Sequence, residues 1–262
     1  MARNGDEFKS MSGTGIEIRD LSKRYFPRRG VVVEAIRHLD LSVAAGAFLA
    51  IVGPSGCGKS TLLHLVAGLE EASSGSILID GAVPEELVRR HRLGIAFQDS
   101  ALLPWLSVES NLALPFKLAG RPVIRDRVSE LIDLVGLKGF ERARPSQLSG
   151  GMRQRTAIAR SLCLEPDVLL LDEPFGALDV VTRRRLNIEL ERIWRDRAIT
   201  TLLVTHSVEE ALFLSDRTIV MEKPGAIAQV VDVPFPRPRT PELLRCDAFH
   251  HLTDQVTVWL QV

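Results

Sequence analysis

Apolar residues along the chain fall into short periodic runs that predict strands before the first helix. Near Ile16 and again from Ile36, apolar and polar residues alternate, and this period of two is typical of half-buried strands. Residues 48–53 form a continuous apolar run that ends in glycine, which predicts a fully buried strand. A helical pattern begins after Gly58, and a further strand is predicted from Ser76.

The second half of the pattern predicts a helical lobe inside an α/β core. From about residue 107 to residue 163, apolar residues recur at helical spacing, with glycine and proline between the groups. Strands and amphipathic helices then alternate, which favours a mainly parallel sheet. Residues 223–239 resemble a hairpin, and a short helix is predicted from Pro241. The strands expected after the lobe are 167–172, 200–206 and 217–221, and the helices are 182–196 and 207–214.

Composition and charge remove several classes of protein. Lys plus Arg and Asp plus Glu both number 33, so the net charge is zero and no nucleic-acid partner is expected. The cysteines Cys57, Cys163 and Cys246 form no CxxC pair, which argues against a disulfide framework or a zinc site and favours a reducing cytosol. The first residues do not resemble a signal peptide, and no apolar run reaches the roughly 18 residues needed to cross a bilayer. A role at a membrane would therefore depend on a partner.

Residues 53–61, GPSGCGKST, fit the P-loop pattern between an apolar strand and a predicted helix. Glycines let such a backbone wrap phosphate groups with its N–H groups turned inward, and the helix adds its positive end. Lys59 would reach the β- and γ-phosphates and Ser60 would bind Mg²⁺. The alternative is a glycine turn that only begins a helix, and Cys57 is either a reactive thiol or a filler. The predicted phosphate-binding residues are Gly53, Pro54, Ser55, Gly56, Cys57, Gly58, Lys59, Ser60 and Thr61.

Residues 168–173, VLLLDE, predict a buried strand that ends in two acids. A strand buried on both faces delivers residues at its carboxyl end to the ligand crevice of an α/β sheet. Asp172 is the expected Mg²⁺ ligand, and Glu173 is expected to polarise the attacking water. The alternative is an ordinary strand end that leads into a polar turn.

Residues 148–155, LSGGMRQR, open a helix, with Ser149 suited to cap it and two glycines that expose backbone N–H groups. By itself this segment is a helix start or a second anion site. Placed between the P-loop and the acid pair, it resembles the signature of ATP-binding cassette (ABC) ATPases. That family often has glutamine where Met152 stands, while Ser149, Gly150 and Gly151 match.

The resemblance covers about residues 16–240 and implies roles for further residues. Tyr25 matches the aromatic residue that stacks on adenine, although it is also consistent with a plain surface residue. His206 matches the histidine that contacts the γ-phosphate, against the alternative of a structural histidine. Gln98 matches the glutamine that contacts metal and water and senses the membrane partner. The implied catalytic residues are Glu173, His206, Gln98 and Lys59, the metal ligands are Ser60, Gln98 and Asp172, and the ATP contacts beyond the P-loop are Tyr25, Ser149, Gly150, Gly151 and Asp179.

The family's architecture sets the expected fold and assembly. It implies an α/β fold: a P-loop NTPase core with a mainly parallel sheet, an N-terminal antiparallel β subdomain and an inserted α-helical subdomain at about 100–165. We divide the chain into a flexible N-terminus (1–14), the ABC ATPase domain (15–240) and a C-terminal helix or tail (241–262). The resemblance also implies a head-to-tail dimer, in which Ser149 and Gly151 of one copy bind the γ-phosphate held by the other, and the loop 176–179 crosses between them.

Three further segments of the sequence predict the type of transporter. Residues 98–116, 204–221 and 223–239 resemble segments of nitrate, sulfonate and taurine importer ATPases. This implies a peripheral subunit on the cytoplasmic face of the inner or plasma membrane, which uses ATP and Mg²⁺ to drive uptake of a small anionic solute. Its partners would be a second ATPase subunit, permease subunits and an extracytoplasmic solute-binding protein. Alternatives are an exporter or lipoprotein system, a soluble regulatory cassette and a stand-alone P-loop kinase.

Residues 102–106 follow Gln98 and are the expected dock for a short permease helix. Trp105 would anchor that contact, because aromatic residues dominate the binding energy of many interfaces. The alternative is that Trp105 packs inside the helical lobe.

Overall fold

The described part of the chain consists of two β-sheets flanked by helices. A computed structural model describes residues 15–26, 30–176, 178–197 and 199–260, so the expected flexible N-terminus at 1–14 lies outside the described residues. The strands are β1 (Ile16–Tyr25), β2 (Val33–Val43), β3 (Phe48–Val52), β4 (Ser74–Ile79), β5 (Leu93–Ala96), β6 (Val168–Asp172), β7 (Thr200–Val204), β8 (Arg217–Glu222) and β9 (Ala226–Asp232). The helices are α1 (Lys59–Val66), α2 (Pro84–Arg89), α3 (Val108–Leu118), α4 (Arg125–Leu134), α5 (Gly150–Ser161), α6 (Val180–Arg197), α7 (Val208–Leu214) and α8 (Asp247–Trp259).

The N-terminal strands form the smaller sheet, which is antiparallel with the order β2-β1-β4. Ile16 and Ile18 are buried while Glu17 between them is exposed, as the alternating pattern predicts. β2 begins at Val33, earlier than the predicted start at Ile36. The difference arises because Val33 pairs with Tyr25 on β1, so backbone pairing extends the strand beyond its buried face.

The larger sheet has six strands in the order β5-β6-β7-β3-β8-β9 and is parallel except for the last pair. Every residue of β3, β6 and β7 is buried, as expected for central parallel strands. β7 lies between β6 and β3, so the carboxyl ends of these neighbouring strands meet at one edge. The P-loop, the acid pair and His206 follow these three strands and are therefore brought together.

The helices α3, α4 and α5 lie between β5 and β6 in the sequence and form the predicted helical insertion. Ser107 caps α3 by accepting a hydrogen bond from the Ser110 N–H at 3.2 Å. The insertion shares one hydrophobic core with a face of the large sheet, since Leu112 and Leu131 belong to the same cluster as Phe48. The fold class predicted from the sequence is confirmed: a mainly parallel sheet with an antiparallel β subdomain and an inserted helical region.

The C-terminal segment packs onto the same core. The helix predicted from Pro241 begins as a 3₁₀ helix, Pro241–Arg245, and becomes α-helical only at Asp247. Phe249 and Val256 on α8 are buried in the core cluster that contains the sheet. Within the described residues, no helix combines the length and the apolar character that a bilayer crossing requires.

Candidate ATP-binding site

The P-loop joins β3 to α1 and forms the floor of a cavity of about 320 Å³. Gly58 has a φ of 102°, in the left-handed region that favours glycine. A Cβ at Gly58 would stand 2.3 Å from the carbonyl oxygen of Ala35, so the close approach of β2 also excludes a side chain there. The residues that line the cavity are Ser55, Gly56, Gly58, Lys59, Ser60, Thr61, Gln98, Glu173 and His206.

Lys59 supplies the buried positive charge of the cavity. Its Nζ donates hydrogen bonds to the carbonyl oxygens of Gly53 at 2.8 Å and Pro54 at 3.0 Å. An ammonium group has three donors, so these contacts hold the side chain across the loop and leave one donor for a further acceptor. A phosphate oxygen in the cavity is suited to that position, because a charge-assisted hydrogen bond to an anion is among the strongest available.

Ser60 at the start of α1 and Asp172 at the end of β6 place two side-chain oxygen atoms close together. Ser60 Oγ donates to Asp172 Oδ1 at 3.1 Å. Burial raises the pKa of the Asp172 carboxyl, the Ser60 hydrogen bond lowers it, and the nearby charge of Glu173 raises it further. A divalent cation would offset the cost of keeping this carboxylate charged in a buried place, and hard oxygen ligands are those that Mg²⁺ prefers. Within the described residues, no group of three or more His, Cys, Asp or Glu side chains is placed to hold a metal ion.

Glu173 contacts two other predicted catalytic side chains, those of His206 and Gln98, and the three residues come from different loops. Its Oε1 lies 2.6 Å from His206 Nε2, and its Oε2 accepts a hydrogen bond from Gln98 Nε2 at 3.2 Å. Its φ is 47°, a conformation uncommon for residues other than glycine, and its N–H donates to the Val204 carbonyl at 2.8 Å. Strain of this kind is concentrated at functional sites, where the surrounding structure enforces it.

The signature segment lies apart from this cavity. Ser149 caps α5 as predicted, with Oγ accepting from the Met152 N–H at 3.2 Å. Ser149 and Gly150 are exposed, Gly151 is half-buried, and none of them lines the P-loop cavity. Asp179 is likewise exposed, and its Oδ1 accepts from the Thr182 N–H at 2.9 Å at the start of α6. One chain therefore brings together only part of the predicted site.

Comparison with known proteins decides the family. The family model described as ABC transporter matches residues 36–176. This chain belongs to the ABC transporter family. It is an ABC ATPase, and the alternative of a stand-alone P-loop kinase is wrong.

Relatives of this ABC ATPase extend the match beyond the family model. An aliphatic sulfonates import ATP-binding protein of Bacillus cereus is 43% identical over 227 residues, which cover 86% of this chain and 88% of the relative. A nitrate import ATP-binding protein of Synechococcus elongatus is 46% identical over 237 residues, which cover 87% and 85%. Among solved structures, a dimeric ATP-binding cassette in a post-hydrolysis state bound to ADP and Pi matches with a TM-score of 0.77 and 29% identity, over 84% of this chain and 100% of that one.

Tyr25 of the cassette lies at the end of β1, outside the residues that line the cavity. The residue is 36% exposed, and Lys23 Nζ stands 4.9 Å from the ring centroid. The hydroxyl donates to Glu70, and burial followed by Glu70 raises the pKa of Tyr25, while a hydrogen bond with Thr61 lowers it. The hydrogen bond with Thr61 places Tyr25 beside the end of the P-loop.

Cys57 of the P-loop is packed inside the protein. Its residue is 1% exposed, and burial raises the pKa of its thiol. A protonated thiol shielded from solvent is a poor nucleophile. The structure therefore contradicts the alternative of a reactive thiol and leaves the filler role.

Two residues on α5 that were not predicted as site residues contact the loop that carries Gln98. Gln154 on α5 is buried and donates to the Phe97 carbonyl at 2.9 Å, next to Gln98. Arg160 on the same helix donates to the Ala101 carbonyl at 2.9 Å. Gln154 lies within the signature segment and Arg160 follows it. The only sequence signal for either residue is its helical spacing, which predicts a helix but not the loop that it contacts. The signature helix is thus joined to the loop that carries Gln98.

Proposed function

We propose that this ABC ATPase is the energising subunit of an importer for a small anionic solute of the sulfonate or nitrate type. The relatives named as sulfonate and nitrate import proteins support the solute class and the direction of transport. The observation that carries the proposal is the division of the site: the P-loop cavity gathers Lys59, Glu173 and His206, while the capped signature helix faces solvent elsewhere.

Within the P-loop cavity, each residue has a chemical task. Lys59 and the loop N–H groups bind the β- and γ-phosphates, and Tyr25 stacks on adenine. Ser60, Asp172 and Gln98 would hold Mg²⁺, which when bound neutralises charge on the phosphates.

Hydrolysis depends on releasing Glu173 from its present partners. A γ-phosphate in the cavity offers His206 Nε2 a new acceptor, so the contact between His206 and Glu173 is exchanged for one with phosphate. The freed carboxylate then orients a water molecule in line with the γ-phosphorus.

The second half of the site comes from a second ATPase subunit, either an identical copy or a related one. A triphosphate carries several negative charges, and N–H donors from two surfaces neutralise and desolvate it only when both are present. Ser149, Gly150, Gly151 and Asp179 are the donors and contacts available for that purpose. Val180 and Val181, beside Asp179, are 61% and 79% exposed, and such apolar exposure next to the proposed seam is consistent with a covered surface.

The permease subunits dock beside the loop that carries Gln98. Trp105 is 66% exposed, which contradicts the alternative that it packs inside the lobe. An exposed tryptophan next to Gln98 is suited to anchor a short permease helix. The ATPase would then sit as a peripheral subunit on the cytoplasmic face of the membrane, and a solute-binding protein would deliver the anion on the other side.

Reconstitution with the permease tests this proposal. The tagged chain, expressed in its native host, should co-purify with membrane subunits. In vesicles that contain a solute-binding protein, alkanesulfonate or nitrate should stimulate ATP hydrolysis. Trp105→Ala should lose that stimulation while its fold and its affinity for ATP persist, and Leu118→Ala, at a position equally exposed on α3, is the matched control. ATP hydrolysis that neither solute changes, by a chain that co-purifies with no membrane protein, would refute the importer assignment.

A further inference from the structure

Glu210 is a buried acid four residues after His206. The proposed mechanism assigns no task to Glu210. It lies near the start of α7, whose N-cap is Ser207, and only 3% of it is exposed. Spacing of this kind, serine followed three residues later by glutamate, is typical of a capping box. In that motif the glutamate side chain would accept directly from the Ser207 N–H.

The hydrogen bonds at the start of α7 depart from a capping box. The Ser207 N–H donates to Thr205 Oγ1 at 3.1 Å, and the Glu210 N–H donates to Ser207 Oγ at 3.2 Å. Thr205 Oγ1 accepts the Ser207 hydrogen bond with a lone pair, so its own proton remains free to donate. The Thr205 hydroxyl donates this proton to Glu210 Oε2. Thr205 is thus inserted between the glutamate and the backbone group that it would otherwise cap.

This relay fixes the residues on both sides of His206. Thr205 is buried, and its N–H donates to the Ile51 carbonyl of β3 at 3.1 Å. Ser207 is held to Thr205 on the other side of the turn. His206 itself projects outward with about half of its side chain exposed (48%), and its Nε2 reaches Glu173. The imidazole is therefore oriented by a backbone turn whose side chains are anchored by Glu210.

Holding a carboxyl group at this position is energetically unfavourable. Burial raises the pKa of Glu210 to about 7, opposed by the Thr205 hydrogen bond and the charge of Arg183 on α6, and Glu173 raises it further. Glu210 Oε1 and Arg183 Nε are buried, and neither finds a hydrogen-bond partner within the described part of the chain. An apolar side chain of similar size would avoid this cost. A carboxyl group at the start of α7 therefore needs a reason other than stability.

We propose that Glu210 is a positioning residue for His206, acting through Thr205 to hold the turn from which the imidazole reaches the γ-phosphate and Glu173. The inference rests on the role proposed above for His206. It requires an acceptor at residue 210 and a donor at Thr205, and it does not require a negative charge.

The test compares variants that keep or remove this hydrogen bond, using the purified full chain. Glu210→Met has a similar length and no oxygen, and should lower kcat for ATP hydrolysis at least about 10-fold, in the range expected when a catalytic group is misplaced. Its KM for ATP should change less than about 2-fold, because the P-loop contacts persist. Its thermal midpoint should stay at or above that of the wild type, because a buried, partly unpaired carboxyl is removed.

Two further variants sharpen the result. Glu210→Gln retains an acceptor for the Thr205 hydroxyl and should keep kcat within about 3-fold of the wild type. Thr205→Val removes the donor and should match Glu210→Met. The double variant should be no slower than the slower single one, because both changes break one interaction. Glu209→Gln, at the half-buried neighbouring position on α7, is the matched control and should leave kcat unchanged.

The outcomes separate this inference from the function on which it depends. Loss of activity in His206→Ala together with normal activity in Glu210→Met would overturn the positioning role alone. Normal activity in His206→Ala would overturn the proposed role of the histidine. A fall of kcat and thermal midpoint together in Glu210→Met would show that Glu210 is only a helix cap, and multiplicative losses in the double variant would show that Thr205 is not its intermediary.

Discussion

The P-loop and the signature segment both lie at the start of a helix, but their surroundings differ. α1 begins with Lys59 buried and Asp172 nearby, in a cavity shaped by three neighbouring strands. α5 begins at Gly150, and this residue and its cap Ser149 are exposed. Donors in water are already solvated and stabilise an anion weakly, whereas donors in a closed site act at lower dielectric. The proposed role of the signature helix in binding phosphate therefore requires a second surface that covers it.

The largest effect is expected on the rate of ATP hydrolysis when the negative charge of Glu173 is removed. Glu173→Gln keeps the contacts of a side chain of the same size but cannot take a proton from water. We expect hydrolysis to fall about 100-fold or more, with ATP binding retained. The variant should therefore accumulate as an ATP-bound dimer, measurable by size-exclusion chromatography with scattering detection. Normal turnover would contradict the role of Glu173, and Glu189→Gln on α6 provides a control for the loss of a carboxylate.

Much of the P-loop side could be predicted from the sequence, because its residues follow buried strands directly. β3, β6 and β7 are continuous apolar runs, and parallel strands place their carboxyl ends at one edge. Glu173 accordingly lines the same cavity as the P-loop. Its left-handed backbone and its contact with His206 were not predictable, because they depend on packing between loops far apart in the sequence.

The supporting residues of the site were harder to predict for a different reason. These residues act through contacts that the sequence does not show. Gln154 contacts Phe97 and Glu70 contacts Tyr25, both far away in the sequence, while Glu210 contacts Thr205 across a turn. Their spacing indicates at most a position on a helix or in a helix cap, and it does not show which residue they contact. The start of β2 is likewise set by pairing with β1 and not by local pattern.

The next effect concerns affinity for the nucleotide on the same side. Lys59→Ala removes the buried ammonium and should weaken ATP binding about 30-fold, equivalent to about 2 kcal/mol for a lost charge-assisted hydrogen bond. Titration with a fluorescent ATP analogue measures it. Lys117→Ala, exposed on α3, is the control for charge. An unchanged dissociation constant would mean that Lys59 serves only to close the loop through the Gly53 and Pro54 carbonyls.

On the signature side, a single substitution should separate fold from function. Gly150→Asp introduces an acid in the first turn of α5, which favours the helix, while it places a negative charge where the partner's γ-phosphate is expected. A Cβ at Gly150 meets only the end of Arg153, at 3.8 Å, so the fold should tolerate the change. We expect at least about 10-fold slower hydrolysis with ATP binding by the monomer unchanged.

Mixing the two inactive variants then tests whether the site is shared. A dimer of one Lys59→Ala copy and one Gly150→Asp copy retains one intact P-loop facing one intact signature. Activity should therefore return in part when the two proteins are combined, and rise with the fraction of mixed dimers. If the mixture stays as inactive as its components while mixed dimers form, the two regions do not act across subunits.

The smallest effect is a dependence of stability on pH that Glu210 imposes. The pKa of Glu210 is raised to about 7 in the folded protein from the ordinary value of 4.5, so between these values the folded state binds more protons than the unfolded state. The free energy of unfolding contributed by this residue therefore falls as pH rises from about 4.5 to about 7 and is constant above. In Glu210→Gln this contribution vanishes, so the thermal midpoint of the wild type relative to the variant should decrease by a few degrees between pH 5 and pH 8. Arg183 and Glu173, the charged groups that act on Glu210, are unchanged in both proteins, and Glu209→Gln should run parallel to the wild type. Parallel curves for Glu210→Gln as well would mean that the carboxyl titrates normally and that its burial carries no cost.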